Sequence, residues 1–87
     1  MNKQNEAIEM VRNRANSMLS KSQYPNGIPF DVHVVWCGYI LENEKYLLTT
    51  DLPDGKYYEV TYNMYTNEMY LDEYVRVHNE GVQCITQ

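Results

Sequence analysis

Short segments rich in valine and aromatic residues follow one another through the last two thirds of the chain, and the spacing between them most constrains the fold. Turn signals separate them: Glu42-Asn43-Glu44, Leu52-Pro53-Asp54-Gly55 and Thr66-Asn67. The pattern predicts strands over 31–41, 45–50, 56–63 and from Glu68 onward. A parallel crossover needs a dozen or more residues, so connections this short predict an antiparallel meander.

Residues 5–20 carry the helical signal of the chain. Ile8, Val11, Ala15 and Met18 recur at 3-4-3 spacing and form one apolar stripe, which Ala7 and Leu19 widen. A helix this short needs tertiary packing, so the stripe is expected to lie on the sheet. The predicted fold is α+β, with one N-terminal helix packed on a four-stranded antiparallel β-sheet. The 87 residues then form one domain: helix 5–20, loop 21–30, sheet 31–78 and C-terminal tail 79–87.

Two readings stay open for the end of the fourth strand. Val75-Arg76-Val77-His78 alternates and favours a strand that continues to residue 78. Asp72-Glu73 could instead start a short helix that stops at Gly81. The β-branched residues in this stretch favour the strand.

Strict alternation assigns each strand residue to one of two faces. The face toward the helix is predicted to hold Val32, Val34, Trp36, Ile40, Tyr46, Leu48, Tyr58, Val60, Tyr62, Met69, Leu71, Val75 and Val77. The opposite face is predicted to hold His33, Val35, Cys37, Tyr39, Lys45, Leu47, Thr49, Tyr57, Glu59, Thr61, Tyr70, Asp72, Tyr74 and Arg76. With a single helix in the chain, this second face is expected to lack a cover.

Tyrosine is unusually frequent, with nine residues, eight of them between Tyr39 and Tyr74. A tyrosine ring combines a large rigid apolar body with a polar tip, which suits contact surfaces. Aromatic residues also simply favour strands. A tyrosine-lined binding face and ordinary half-buried strand residues are therefore both open interpretations.

Charge is unevenly spread along the chain. Residues 1–23 hold four basic against two acidic residues, whereas residues 24–87 hold three basic against ten acidic ones. An acidic sheet repels nucleic acid and membrane phosphates and attracts basic protein surfaces. The same charge also serves solubility alone.

The sequence shows little catalytic or metal-binding potential. Cys37 and His33 lie four residues apart on one strand, about 13 Å along an extended chain and too far for a nucleophile–base pair. Asp31 and His33 lack an evident third metal ligand, and Glu59 with Asp72 is interpreted as a solvated acidic pair. The prediction is a protein that is not an enzyme and has no cofactor.

The sequence favours a cytosolic protein. Cys37 and Cys84 show no disulfide-scaffold spacing and are expected to be free thiols. No signal peptide and no membrane span is predicted.

The stretch Thr50–Asn63, with its Leu-Pro-Asp-Gly turn and the following Tyr-Tyr-Glu-Val-Thr-Tyr-Asn, carries a resemblance. Together with Glu68–Asp72 it resembles an uncharacterised family of small proteins from phages and prophages of Gram-positive bacteria. The resemblance covers about Val34 to Asn79 and departs at Met64-Tyr65, where the pattern has a glycine-containing turn. It implies a phage origin and no particular activity.

A phage origin favours an inhibitor of a host enzyme, and an acidic tyrosine-bearing sheet complements a basic nucleic-acid channel. The leading prediction is thus an anti-CRISPR-like protein that occludes a basic surface of a host nucleic-acid-processing or defence enzyme in the host cytoplasm. The predicted contact residues are Tyr57, Glu59, Tyr70, Asp72, Glu73 and Tyr74. No direct binding of nucleic acid or membrane is expected, and a homodimer is possible. The alternatives are a phage accessory or assembly protein that self-associates through its sheet, and a module that holds a small ligand against the loop at 24–29.

Overall fold

One helix packs on one face of a four-stranded antiparallel sheet, which confirms the predicted α+β class. The computed structural model describes residues 3–19 and 21–85. The elements are α1 (Gln4–Ser17), β1 (Val32–Ile40), β2 (Asn43–Thr50), β3 (Lys56–Asn63) and β4 (Glu68–Val75). The strands lie side by side in chain order, β1-β2-β3-β4. The helix was predicted over 5–20 but ends at Ser17, and residue 20 lies outside the described residues.

Local turn chemistry fixes the hairpins. In the β2–β3 turn, Gly55 adopts a φ of 66° and the Asp54 carboxylate accepts a hydrogen bond from the Lys56 N–H at 3.1 Å. In the β3–β4 turn, the Asn63 side chain accepts from the N–H groups of Tyr65 and Thr66. Asn67 takes the positive φ there that a glycine would otherwise supply. Asn63 and Asn67 therefore shape this turn without the glycine that the resembled family has there.

The core lies between α1 and the two central strands. Its fully buried side chains are Ala7 and Val11 from the helix, Tyr46 and Leu48 from β2, and Tyr58 and Val60 from β3. The helix stripe is rotated slightly from the predicted one, because Ala7, Val11 and Ala15 are buried whereas Met18 is exposed. Small alanines at two of these positions let the helix approach the large tyrosine rings of the sheet closely.

A β-bulge in β1 overturns half of the predicted face assignment for that strand. Val34 pairs with Leu48, but Trp36 pairs with Leu47, so Val35 is an extra residue on β1. Directly paired residues point to the same side of the sheet, and the alternation therefore shifts by one after Val34. Trp36 and Ile40 lie on the side away from the helix, not in the core. Cys37 and Tyr39, predicted on that outer side, pair with Tyr46 and Glu44 on the helix side.

The predicted continuation of β4 to residue 78 is wrong. β4 ends at Val75, and residues 76–85 form neither a strand nor the alternative helix. All ten of these residues are exposed, including Val77, which was predicted to join the core and is 94% exposed. Arg76, predicted on the outer face, follows the end of the strand and does not belong to the sheet. Lys56, the partner of Val75, is the first residue of β3, so among the described residues no strand is left for residues 76–85 to pair with.

The buried carboxylate of Glu44 accepts a hydrogen bond from the backbone at the start of α1. Glu44 is almost fully buried and accepts hydrogen bonds from the Tyr46 hydroxyl at 2.6 Å and the Lys3 N–H at 3.3 Å. The Lys3 N–H also donates to the Tyr46 hydroxyl oxygen at 3.1 Å. Burial, reinforced by the bond to Glu44, raises the pKa of Tyr46 well above its usual value of 10. The hydroxyl therefore stays protonated and donates to the carboxylate at the positive end of α1.

Tyr46→Phe is expected to lower the free energy of unfolding by about 2 kcal/mol, because a buried carboxylate loses its shortest hydrogen bond while the ring still fills the core. Chemical denaturation measures this loss. Tyr62→Phe is the matched control, since its hydroxyl donates to Asn67 at an exposed position, and about 0.5 kcal/mol is expected there. Equal losses in the two variants would show that Glu44 does not depend on Tyr46.

Candidate binding surface

The sheet face turned away from α1 has no covering element among the described residues. We call this surface the outer face and define it by four cross-strand rows. The rows are His33–Thr49–Tyr57–Tyr74, Trp36–Leu47–Glu59–Asp72, Gly38–Lys45–Thr61–Tyr70 and Ile40–Asn43–Asn63–Glu68. Members of a row lie on neighbouring strands with their side chains on the same side. The rows follow one another at every second residue, except that the bulge in β1 places Trp36 three residues after His33.

Five of the six residues predicted to contact a partner lie together on the outer face. Tyr57 is paired directly with Tyr74, and Glu59 directly with Asp72. Tyr70 lies in the next row, opposite Thr61. The rings of Tyr70 and Tyr74 are about half exposed, so each has a free side available to a partner. The spacing along β3 and β4 alone was enough to place these five, because neither strand has a bulge.

Glu73 does not belong to this surface. It pairs with Tyr58 on the helix side, where its carboxylate binds Arg14 Nε at 3.0 Å and Lys56 Nζ at 3.5 Å. The hydrogen bond from Arg14 and the nearby Lys56 charge lower the pKa of the Glu73 carboxyl. Glu73 therefore ties α1 to the edge of the sheet and does not share a face with the other five predicted contacts.

Trp36 is the outer-face residue that sequence reasoning missed. Trp36 is 51% exposed, and it is the only tryptophan in the chain. The indole lies directly over Gly38, since a Cβ at that position would come within 2.7 Å of Trp36 Cζ2. A glycine inside a strand is a signal for a bulge or a close approach, and here it marks both the irregular strand and the ring that lies on it.

The outer face is more aromatic than acidic. Lys45 Nζ lies 3.4 Å from the Glu59 carboxylate and 2.7 Å from the Thr61 hydroxyl, so Glu59 has an ion-pair partner on the same face. Asp72 has no ion-pair partner among the described residues. A hydrogen bond to Glu68, the first residue of β4, raises the pKa of the Tyr70 hydroxyl. Most other acids of residues 24–87 lie in turns, loops or on the helix side, and their charge does not accumulate on this surface.

A concave part of the surface lies near the C-terminal end of α1. A cavity of about 300 Å³ is lined by Ala15, Met18, Leu19, Tyr24, Ile28, Leu52, Pro53, Asp54 and Lys56. Tyr24 and Ile28 belong to the 24–29 loop, where a small ligand was predicted. The walls are mainly apolar, and Lys56 already interacts with Glu73.

The described residues bring together no group of three or more His, Cys, Asp or Glu side chains that could hold a metal ion. Cys37 and Cys84 form no disulfide in the structure, and Cys84 is exposed. Within the described part of the chain, no helix is long and apolar enough to cross a membrane. The outer face and this cavity are two surfaces of the described residues that offer room for binding.

These features define a small α+β protein whose open antiparallel sheet presents an aromatic surface on the side opposite its single helix. The chain belongs to a family of unknown function, DUF6275, whose model matches residues 4–84. No curated protein and no solved structure matches the chain. The family match does not bear on the phage resemblance, which stays a prediction.

Proposed function

We propose that this is a non-catalytic binding protein that docks its outer face on a partner protein. The observation that carries the proposal is the set of exposed aromatic rings on one uncovered sheet face, namely Trp36, Tyr70 and Tyr74 with Tyr57 beside them. Rigid aromatic side chains contribute most of the binding energy in many interfaces. They lose little conformational entropy when they bind, because each has only two side-chain torsions.

The partner that we propose is a host enzyme with a basic surface, of the nucleic-acid-processing or defence type. Asp72 and Glu68 supply negative charge at the β4 side of the outer face, next to Tyr70 and Tyr74. Alternating tyrosines and carboxylates can occupy a channel that otherwise binds stacked bases and phosphates. The protein would then act as an anti-CRISPR-like inhibitor in the host cytoplasm, by occlusion and without chemistry. This proposal rests on charge and ring placement.

Charge reversal on the outer face tests this function. Glu59→Lys with Asp72→Lys is expected to abolish inhibition of nucleic-acid cleavage in host lysate and to abolish any rescue of phage plating on a defended host. Both side chains reach solvent, so the variant should remain folded. Association of the wild-type protein should also slow as salt rises, because charge attraction over the surface is screened.

Glu9→Lys with Glu42→Lys is the matched control. It changes the net charge by the same amount at exposed positions on the helix and in the β1–β2 turn. This control should inhibit as the wild type does. Equal inhibition by both double variants would defeat the acidic outer-face mechanism, and a wild-type protein without effect on any nuclease would defeat the proposed class of partner.

The cavity at the end of α1 favours a second candidate function, the binding of a small apolar ligand. Its volume of about 300 Å³ is at the lower end for small-molecule sites. Native mass spectrometry separates the two functions, since a ligand carried through purification adds a defined mass to the 10.3 kDa chain. Loss of that mass in Ile28→Trp, which would fill the cavity, would assign the ligand to this site.

A further inference from the structure

Residues 76–85, which we call the C-terminal arm, extend from β4 without packing into the core. Val77, Val82 and Ile85 are between 80% and 94% exposed. The arm has no strand partner among the described residues. The molecule as a whole is extended, since its Cα radius of gyration is 15.7 Å, whereas a compact chain of this length has about 12 Å.

β1 is the open edge strand at the other side of the sheet. It contains no Lys, Arg, Asp, Glu or Pro, the residues that usually protect a sheet edge from pairing with another chain. After the bulge, Trp36–Ile40 is regularly paired with β2, and its side chains Trp36, Tyr39 and Ile40 are about half exposed. Leu41 follows and is more exposed still.

Exposed apolar side chains concentrate on these two segments. The described residues include fourteen large hydrophobic residues that are exposed, and eight of them lie on β1 with Leu41 or on the arm. The eight are Val35, Trp36, Tyr39, Ile40, Leu41, Val77, Val82 and Ile85. Two separate apolar segments of this size in one small chain suggest that each is the other's cover.

We propose that the arm of one copy pairs, as an added strand, with the β1 edge of a second copy. Ten extended residues span about 33 Å, and the nine residues of β1 span about 30 Å, so the two lengths match. The copy's own β1 lies three strand spacings from β4, about 14 Å away across the sheet, which favours exchange between copies. The other open edge is a poor acceptor, because β4 carries Glu68, Asp72 and Glu73.

Two further observations agree with arm exchange. The family model continues through residue 84, so nearly the whole arm belongs to the family's domain. The arm carries Arg76 and His78 beside a single acid, Glu80, and β1 carries no Lys, Arg, Asp or Glu that would repel these residues. Pairing at the β1 edge leaves the middle of the outer face open to a partner protein. The inference therefore goes beyond the proposed function and does not depend on it.

Light scattering after size exclusion tests the proposal with the full chain. The expected mass is at least twice 10.3 kDa at concentrations of about 100 µM, in the range of weak self-association. Reductant must be present, because a disulfide through the exposed Cys84 would imitate assembly. A chain that stops after Val75 should run as a single copy and keep its circular dichroism, since no arm residue belongs to the core.

Point variants of the full chain provide a second test in case the shortened chain is unstable. Val82→Lys with Ile85→Lys in the arm, and separately Ile40→Lys on β1, should each weaken self-association by at least tenfold. Met64→Lys is the control, because Met64 is exposed in the β3–β4 turn and away from both segments. A full chain that is monomeric at every concentration would overturn the proposal, and so would assembly that survives loss of the arm.

Discussion

Leu48→Ala is expected to lower the free energy of unfolding by about 3 kcal/mol, whereas Leu47→Ala lowers it by about 1 kcal/mol or less. The two leucines are adjacent on β2 but face opposite sides of the sheet. Leu48 is fully buried between Val34 and Tyr58, and its removal leaves a cavity under the helix. Leu47 lies on the outer face between Trp36 and Glu59, where water can fill the space.

Urea denaturation of both variants beside the wild type measures the difference, and the chain is small enough for two-state behaviour. The comparison is internally matched, because the substitution, the strand and the propensity change are the same. A loss of about 3 kcal/mol at both positions would contradict an open outer face and would mean that something covers Leu47 in solution. A loss of that size is a large fraction of the 5–15 kcal/mol that stabilises a typical domain.

Elements of the fold that depend on local signals were predictable from the sequence. Apolar spacing located α1, and the Leu52–Gly55 turn located the β2–β3 hairpin. Strand alternation placed Tyr57, Glu59, Tyr70, Asp72 and Tyr74 on one face. These successes share a cause, because each signal acts within a few residues and no long-range contact competes with it.

The wrong face assignments in β1 come from an irregularity that strict alternation does not include. One extra residue at Val35 reverses every later side chain of β1, so a tryptophan expected in the core lies on the outer face. Strict alternation put Trp36 in the core, and its large apolar side chain agreed with that assignment. Gly38 was the signal available in the sequence, because a glycine inside a strand often marks a bulge or a close approach.

The partners of the charged residues could not be predicted for another reason. Strand alternation places Glu73 on the helix side, between Asp72 and Tyr74, but its ion pair with Arg14, 59 residues away along the chain, is a long-range contact that local spacing does not show. The burial of Glu44 likewise depends on hydrogen bonds that its carboxylate accepts from the Tyr46 hydroxyl and the Lys3 N–H. The net charge of residues 24–87 therefore overstates the acidity of the outer face, and the aromatic rings of this face favour binding more strongly than its carboxylates do.

Trp36→Ala is expected to weaken binding to the partner protein at least 30-fold, about 2 kcal/mol, while costing the free protein little stability. The ring lies beside Leu47 in one row and over Gly38 in the next, and half of its surface is free to enter a partner. Titration of the partner captured with the wild-type protein measures the change. The partner should be titrated against Met64→Ala as well, an exposed position outside the outer face where no change is expected.

The wild-type protein offers a second readout of the same contact, because Trp36 is the only tryptophan in the chain and its emission reports on the outer face alone. Binding should shift this emission to shorter wavelength as the indole leaves water, provided that the partner's own tryptophans are subtracted in a control titration with Trp36→Phe. Trp36→Phe should bind with intermediate affinity, since it keeps an aromatic ring but loses contact area. An unchanged affinity in Trp36→Ala together with an unshifted emission would place the docking surface elsewhere on the molecule.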